Sequence, residues 1–498
     1  MTILRRPLLA LAAGLALALP PRADGQGVPA RSLSLEEALG LAIPASENLE
    51  IAKAAVMRAH GEQYRAKADR YPQLTASASF NRLLKSQFEG FSFGGDSTNN
   101  GGDGLDKLPF GQKNTYNLGL TLSQSIFTGG RLKGQGIAAD AGRRSAEFGA
   151  TSAESQLVLD IVQAYYDATT ADLQVRIAQI ALEQADTTLR QTELRQAVGS
   201  QPEFDVLRAR VARDNQRTAL IARQVERDVA YIRLKQALNL PIDLPLTLST
   251  ELTDTAFSDT PSLAQVVAAP GDSAAETRLV VRQAEEALRA QEALAKVARS
   301  QQFPQLVLSS SYGNVGYPSN YDPFSASYFT NWNVSFGLQL PIFTGGRIKG
   351  DKRVADANVE EARLRLRQLT KLARVDARST YANLEAARVA WQASEGTVQQ
   401  AQRAYEIAEL RFREGLSTQT ELLDSRLALQ TAESSRVEAA RILQIARVRA
   451  ALIEALPLAG SSASSTPSQQ QQSASQQVRQ RPQAGGSSNG IPGTGTTP

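Results

Sequence analysis

Alternation of apolar and polar residues marks four segments of the chain as β-strands. Apolar residues occupy every second position from Leu74 to Phe80 and again from Tyr116 to Leu122. The clearest alternation comes later, and its apolar positions are Trp332, Val334, Phe336, Leu338, Leu340 and Ile342. Alternation over about ten residues, with an aromatic residue near each end, is typical of a transmembrane β-strand. A half-buried strand of a water-soluble sheet alternates in the same way, so the strands alone leave both interpretations open.

Long stretches without proline predict unusually long helices. No proline occurs from Arg131 to Val198 or from Arg347 to Glu414. A helix of that length spans about 100 Å at 1.5 Å per residue, which is longer than a compact domain. A second helix is predicted after each, over about Pro202 to Asn239 and Thr418 to Leu456. Each long helix is therefore expected to form a hairpin with the helix that follows it.

The chain contains an internal duplication. SIFTGGRLKG at 125–134 returns as PIFTGGRIKG at 341–350. The difference in residue number between these two motifs is called here the downstream offset. The same offset relates Arg210 to Arg426, with no insertion or deletion in between. A register kept over so long a stretch indicates a duplicated unit. The first repeat is assigned to 32–245 and the second to 260–457. Each is predicted to contain a helix, two strands, a long helix and a shorter helix, in that order.

A larger offset, called here the upstream offset, applies before the strands. RYPQL at 70–74 returns as QFPQL at 302–306, farther along the chain than the downstream offset would place it. The first repeat therefore has a longer loop between this motif and its paired glycines. In each repeat these motifs follow a polar, alanine-rich helix, and the first such helix is predicted over Glu47 to Arg70 with Ser46 as its cap.

Paired glycines lie where a strand must give way to a long helix. These corners consist of Thr128, Gly129 and Gly130 in the first repeat and Thr344, Gly345 and Gly346 in the second. Glycine supplies the backbone freedom for an abrupt change of direction, and the threonine is expected to cap the first amides of the helix. A phosphate-binding loop is the alternative, but the spacing GxxxxGK[ST] is absent.

Both ends of the chain are predicted to lie outside the repeats. Residues 1–23 combine Arg5 and Arg6 with an apolar run and small residues, as in a cleaved signal peptide. That run of about 12 residues is shorter than the roughly 20 of a spanning helix. The tail at 458–498 is rich in Ser, Gln, Gly and Pro and is expected to be disordered. The protein is therefore expected to be exported.

Composition excludes several kinds of chemistry. The chain has no cysteine and one histidine, His60, which removes thiol chemistry and every metal site built from Cys or several His. Its 54 basic and 50 acidic residues are nearly balanced, so no footprint for nucleic acid is evident. No carboxylate pair is tied to a pocket. We expect no catalytic residues, no cofactor, no metal and no enzymatic activity.

Four strands cannot close a barrel, and an open edge in lipid would leave backbone groups unpaired, so the chain is expected to assemble with copies of itself. Over about residues 32–457 its motifs resemble the TolC family of outer-membrane efflux proteins: SLEEAL at 34–39, YPQL, both FTGGR corners, and the turns at Gly199 and Gly415. The resemblance implies a mainly α protein with transmembrane β-strands. Three chains would form a 12-stranded β-barrel in the outer membrane, continued by a long periplasmic α-helical barrel.

The resemblance also implies a function. Such a homotrimer is the channel-tunnel component of a tripartite efflux or type I secretion system in the outer membrane of a Gram-negative cell. It passively conducts substrate from an inner-membrane pump of the RND, ABC or MFS type, through a periplasmic adaptor (a membrane fusion protein), to the exterior. Outer-membrane lipid would surround its strands. The alternative is a periplasmic coiled-coil scaffold without a pore, which would leave the alternating strands unexplained.

Candidate functional residues follow from the turns between paired helices. The resemblance implies that the adaptor contacts the hairpin tips, which consist of Val198, Gly199, Ser200, Gly415, Leu416 and Ser417. Glu421 and Asp424 share a helix face and match acidic residues that line the periplasmic entrance in the family. In a trimer they would form rings of three carboxylates, whereas the alternative is an ordinary solvated helix face. Asp205 matches an aspartate that helps to lock the entrance.

Two positions near the second tip depart from the family pattern. The family carries a tyrosine and an arginine that lock the entrance, and this chain has Phe412 and Ser417 instead. Phe412 has no hydroxyl to donate to Asp205. Arg411 and Arg413 are the candidates for a substitute contact.

Overall fold

The structure is a computed structural model that describes residues 31–85, 114–252, 277–318, 321–325 and 327–458. The predicted signal peptide at 1–23 lies outside the described residues, as does the predicted tail at 458–498 after its first residue. That residue, Leu458, is buried against Val281 and Ala373.

Seven α-helices account for most of the described residues. They are α1 (Leu35–Ala45), α2 (Glu47–Ala68), α3 (Arg131–Ala197), α4 (Glu203–Ala237), α5 (Leu279–Ser300), α6 (Arg347–Arg413) and α7 (Gln419–Ala451). The two long helices, α3 and α6, have 67 residues each and are therefore about 100 Å long, which confirms the prediction. Within the described ranges, no helix combines the length and apolarity needed to cross a membrane.

Side-chain caps start the first two helices. Ser34 Oγ accepts from the Glu37 amide at 3.2 Å while the Glu37 carboxylate accepts from the Ser34 amide at 3.0 Å, which forms a capping box. Ser46 Oγ accepts from the Leu49 amide at 3.4 Å and caps α2, as predicted.

Four long strands form one antiparallel sheet. These four strands are β2 (Gln73–Arg82), β3 (Asn114–Phe127), β5 (Gln305–Gly316) and β6 (Tyr328–Gln339), and two short strands, β1 (Arg31–Leu33) and β4 (Leu246–Leu248), form a separate pair. The sheet has the order β2-β3-β5-β6, so β2 and β6 are its edges. The alternation in the sequence continues to Ile342, but β6 ends at Gln339, which lies opposite the first residue of β5, Gln305, and no strand of the described residues pairs with its outer side. By contrast, β3 continues to Phe127, where β5 pairs with it through Leu306.

Two pairs of polar side chains on the mainly apolar face of the sheet are hydrogen-bonded to each other. The Trp332 indole N–H donates to Ser310 Oγ at 3.1 Å, and the Thr330 hydroxyl donates to the Asn314 side-chain oxygen at 2.8 Å. Polar groups in an apolar solvent are costly unless they are hydrogen-bonded. The pairing makes this face compatible with lipid.

The two repeats have the same helix boundaries. The upstream offset carries the bounds of α2 onto those of α5, and the downstream offset carries the bounds of α3 onto those of α6. Helices α4 and α7 also begin at equivalent residues. The duplication inferred from the sequence is therefore also a duplication of structure.

A short parallel pair of strands, which the sequence did not predict, closes the first repeat. β1 pairs with β4, with Arg31 opposite Leu246. The Tyr165 hydroxyl of α3 donates to the Leu33 carbonyl at 2.9 Å and accepts from the Thr250 amide at 3.0 Å. The largest buried cluster surrounds this junction and includes residues of α1, α3, α4 and α7.

The free edges of the sheet and of the helical layer belong to strands and helices that are neighbours in the sequence. α3 packs extensively against α2, α4, α5 and α7, whereas within the described residues α6 packs extensively against α5 and α7 alone. α6 follows the edge strand β6, and α2 precedes the other edge strand, β2. Within the described residues α2 and α4 each pack extensively against α3 alone, so one side of the protomer ends in β6 and α6 and the other side ends in β2, α2 and α4.

Candidate functional site

The two helical hairpins end in turns of the same geometry. Gly199 and Gly415 have left-handed φ angles of 77° and 76°. The Ser200 amide donates to the Arg195 carbonyl at 2.9 Å, and the Leu416 amide donates to the Arg411 carbonyl at 2.7 Å. These bonds are typical of a helix end in which glycine takes the left-handed position.

Apolar side chains project at both tips. Val198 and Leu416 are exposed at 72% and 71%, and each lies next to the glycine of its turn. Exposed apolar side chains beside rigid turns are suited to contact with another protein.

One arginine of the first hairpin holds the end of the second. Arg195 Nη1 donates to the Phe412 carbonyl at 3.1 Å, and Nη2 donates to the Arg413 carbonyl at 2.7 Å. The guanidinium carbon also lies 5.1 Å from the centre of the Phe412 ring. Arg195 therefore joins α3 to the last turn of α6 by two charge-assisted hydrogen bonds and a cation–π contact.

A second arginine adds to the link between the hairpins. Arg208 of α4 donates to the Thr420 hydroxyl of α7 at 2.7 Å. Arg411, which the sequence suggested as a substitute contact, instead donates to Leu416 of its own turn at 3.5 Å. Arg195 was not predicted from the sequence because its contacts are with residues of the other repeat, far away along the chain.

Phe412 is a packing residue in this structure. It is buried with Tyr405, Leu422 and Leu429 between α6 and α7. Asp205 lies in the first turn of α4 and is half-buried. Phe412 therefore has an apolar packing role, and the role of Asp205 in a lock stays a prediction.

The two predicted entrance carboxylates lie on the exposed side of α7. Glu421 is in the first turn, where its amide donates to the Thr418 hydroxyl that caps the helix, at 3.3 Å. Asp424 is one turn further on, and both acidic residues are exposed. Leu422, which lies between them in the sequence, is buried. The predicted sharing of one helix face is therefore present in the protomer.

A buried arginine lies below these carboxylates. Arg426 is 4% exposed, and burial lowers the pKa of its guanidinium, while the nearby Tyr405 opposes that shift. Burial likewise raises the pKa of Tyr405, with Glu409 adding to the increase. In the described part of the chain, Nη1 of Arg426 and both amide atoms of Gln419 have no hydrogen-bond partner.

The repeat provides a comparison for Arg426. Its counterpart in the first repeat, Arg210, is paired with Glu193 at 3.2 Å. The downstream offset maps Glu193 onto Glu409. Glu409 and Arg426 therefore occupy the positions of this ion pair in the second repeat, but among the described residues Nη1 of Arg426 has no hydrogen-bond partner.

The corner glycines all have left-handed backbones. The φ angles of Gly129, Gly130, Gly345 and Gly346 are 59°, 91°, 58° and 87°. Gly129 also lacks room for a side chain, since an added Cβ would lie 2.7 Å from the Phe303 Cβ. Only glycine adopts such angles without strain.

The predicted threonine side-chain caps are wrong. The N-caps of α3 and α6 are Gly130 and Gly346, and neither helix has a side-chain cap. Instead the Thr128 carbonyl accepts from the Arg131 amide at 3.0 Å, and the Thr344 carbonyl makes the equivalent bond at 3.0 Å. The second glycine occupies the capping position and has no side chain, so the backbone itself closes the turn.

The side chains at the tips do not resemble a metal centre. Among the described residues, no three His, Cys, Asp or Glu side chains are grouped so that they could hold a metal ion. The arrangement at the tips is instead one of helix ends, exposed carboxylates and inter-hairpin hydrogen bonds.

A family model described as outer membrane efflux protein matches residues 38–240 and 271–457. The chain belongs to this family. The two matched segments fall one in each structural repeat. This efflux protein is therefore an outer-membrane protein of a transport family, as the resemblance implied.

Individual relatives agree with the family match. The efflux protein is 26% identical over 387 residues to the pyoverdine export outer membrane protein OpmQ of Pseudomonas aeruginosa, which covers 77% of each chain. The crystal structure of the Campylobacter jejuni CmeC outer membrane channel superposes with a TM-score of 0.70 at 19% identity, covering 85% of this chain and 86% of that one. VceC of Vibrio cholerae gives a TM-score of 0.68 at 20% identity, covering 84% and 95%. These likenesses confirm the fold.

Proposed function

We propose that three copies of this efflux protein form a passive, non-enzymatic conduit that works with a periplasmic adaptor and an inner-membrane pump. The sheets would make a 12-stranded barrel in the outer membrane, and the helices would make a tunnel in the periplasm. Repeats 32–245 and 260–457 would each supply half of the strands and helices that one protomer contributes to the barrel and the tunnel. The conduit has no catalytic residue in this proposal.

The observation that carries this proposal is the match between the open edges. The sheet ends in β2 and β6, and within the described residues the helical layer ends in α6 on one side and in α2 and α4 on the other, so both layers offer complementary free sides. A head-to-tail interface of this kind forms a ring when the rotation between copies closes. Closure also removes the unpaired strand edges, which lipid does not tolerate.

The hairpin tips are the proposed adaptor contact. Val198, Gly199 and Ser200 form one tip, and Gly415, Leu416 and Ser417 form the other. Their turns are fixed by backbone hydrogen bonds, and each presents one exposed apolar side chain. A preorganised apolar contact loses little entropy on binding.

Glu421 and Asp424 are the proposed selectivity residues of the entrance, and Asp205, in the first turn of α4, is the third proposed entrance residue. In a trimer the first two would give two rings of three carboxylates each. A narrow opening with low-dielectric walls strengthens the field of such rings. Rings of carboxylates attract cations, so the entrance would prefer them.

Neutralising both carboxylates tests this role. The double variant Glu421→Gln with Asp424→Asn is expected to lower the cation preference of single channels and to weaken block by multivalent cations added from the periplasmic side. The effect should shrink in high salt, because the Debye length falls from about 10 Å at 0.1 M to about 3 Å at 1 M.

The control removes two charges with the same spacing elsewhere. Glu47 and Glu50 lie in the first turn of α2, as Glu421 lies in the first turn of α7. Glu47→Gln with Glu50→Gln should leave selectivity unchanged. Equal selectivity in the parent and the Glu421–Asp424 variant at low salt would reduce these residues to a solvated helix face.

A further inference from the structure

An arginine ends the apolar face of strand β2. Apolar residues occupy that face from Leu74 to Phe80, and Arg82 takes the next position on it. We propose that Arg82, stacked on the ring of Tyr321, binds the phosphate group of an outer-leaflet lipid. The proposal rests on the proposed conduit, in which this face meets lipid, and it adds a binding site for an anionic headgroup.

Arg82 lies at the end of the sheet that is remote from the long helices. β3 runs from Asn114, which is opposite Arg82, to Phe127, and the glycine corner that follows leads into α3. The long helices extend into the periplasm in the proposed conduit, so the opposite end of the sheet reaches the outer leaflet. A cation on a lipid-facing surface is costly in the hydrocarbon centre but is tolerated at the interface, where headgroups and water reach it.

The connection between β5 and β6 reaches over this end of the apolar face. Asn114 Nδ2 donates to the Pro318 carbonyl at 3.3 Å, and the Tyr116 hydroxyl donates to the Tyr321 carbonyl at 2.7 Å. Both donors belong to the apolar face, because each lies opposite a residue of that face in β2. These two bonds hold the Tyr321 ring beside Arg82.

The Arg82 guanidinium is stacked on that ring and has no other partner among the described residues. Its carbon atom lies 4.5 Å from the centre of the Tyr321 ring, and both side chains are exposed. Within the described part of the chain, Arg82 makes no hydrogen bond and no ion pair. Stacking uses the face of a guanidinium and leaves the N–H groups in its plane, where they can donate two parallel hydrogen bonds to a phosphate.

The surface next to Arg82 suits the acyl chains of the same lipid. Phe80 precedes Arg82 on the apolar face, and its ring centre lies 4.7 Å from that of Tyr116. Leu118 and Leu120 continue this apolar strip along β3 toward the membrane centre, and both are exposed. A cation at one end of an apolar strip matches a molecule with a phosphate head and hydrocarbon chains. A free phosphate ion would make no use of the strip, so the structure favours a lipid.

Closure of the barrel leaves this site open to lipid. Strands of a barrel pair in the plane of the sheet, whereas side chains project from its two faces. Arg82 projects from the face, so pairing at the edge of β2 in the proposed trimer does not cover it. Each copy in the trimer therefore offers one site.

Lipid binding to the purified full-length trimer tests the site. Native mass spectrometry in a non-ionic detergent would give the Kd for diphosphoryl lipid A and for the same lipid with its phosphates removed. The parent is expected to prefer the diphosphoryl form. Arg82→Gln should raise the Kd for that form about tenfold, because it removes a charge-assisted bidentate contact. Tyr321→Leu should also weaken binding, whereas Tyr321→Phe keeps the ring and should bind as the parent does.

Arg436 provides the matched control. Its guanidinium carbon lies 4.3 Å from the centre of the Trp391 ring, in the helical part of the protein. Arg436→Gln should leave the Kd for diphosphoryl lipid A unchanged. The same Kd in the parent and in Arg82→Gln, or equal binding of both lipid forms by the parent, would contradict the site.

Inorganic phosphate distinguishes a lipid from a free ion. Inorganic phosphate is expected to compete only weakly, because it lacks the acyl chains that contact the strip beside Phe80. Competition by inorganic phosphate at the Kd of diphosphoryl lipid A would show an ion site only and overturn the lipid assignment. A trimer that conducts ions in planar bilayers but gives no effect of Arg82→Gln would refute the lipid site and leave the conduit standing. Absence of trimers from the outer membrane would overturn both.

Discussion

Gly129→Val is expected to abolish the heat-resistant trimer. Gly129 has a φ of 59°, where a β-branched residue is strongly disfavoured. Its Cβ would also lie 2.7 Å from the Phe303 Cβ and 3.0 Å from the Ser300 carbonyl oxygen. Backbone strain costs about 1–3 kcal/mol, and overpacking adds about 1–3 kcal/mol. Together these are a large part of the stability of a typical domain.

The neighbouring glycine provides the control for this prediction. Gly130 has a φ of 91°, but an added Cβ meets no atom within 4 Å. Gly130→Asn should keep most of the trimer, because asparagine tolerates left-handed backbone better than other residues. Trimer yield on gels without heating is the measurement. Similar yields for Gly129→Val and the parent would show that the corner does not need glycine.

Arg195→Ala is expected to raise the open probability of single channels at least tenfold. The variant loses two charge-assisted hydrogen bonds, to the Phe412 and Arg413 carbonyls, and the cation–π contact with the Phe412 ring. A hydrogen bond to a charged group contributes about 1.5–3 kcal/mol, and about 1.4 kcal/mol corresponds to a tenfold change in an equilibrium. The hairpin α6–α7 would then separate more easily from α3–α4.

Arg411 is the matched control, because it is the counterpart of Arg195 in the second repeat. Among the described residues its one hydrogen bond lies within its own turn, to the Leu416 carbonyl at 3.5 Å. Arg411→Ala should leave the open probability close to that of the parent in planar-bilayer recordings. The same rise in both variants, or no rise in Arg195→Ala, would exclude Arg195 as the link that holds the hairpins together.

Local patterns predicted the order of the long elements and most of their boundaries. Ser46 marked the start of α2, and the proline-free stretches gave α3 and α6. These features depend on residues close in sequence, so a single sequence contains the information. The duplication then supplied an independent check, since each pattern occurs twice.

Features that depend on distant contacts could not be predicted in this way. β1 and β4 have three residues each, too few to show alternation, and they form because Tyr165 hydrogen-bonds to both chain segments around them. The Arg195 link joins residues of different repeats, at the ends of α3 and α6. The threonine caps were predicted from residue type alone, and the left-handed glycines took the capping position instead.

The most direct test of the central claim is conductance of the purified protein in planar lipid bilayers. The full chain, extracted from the outer membrane as a heat-resistant trimer, is expected to insert and give uniform steps of ionic current. Uniform steps would show that copies of this chain enclose one pore of fixed size. A heat-resistant trimer that inserts into the bilayer and carries no current would contradict the account and favour the scaffold without a pore.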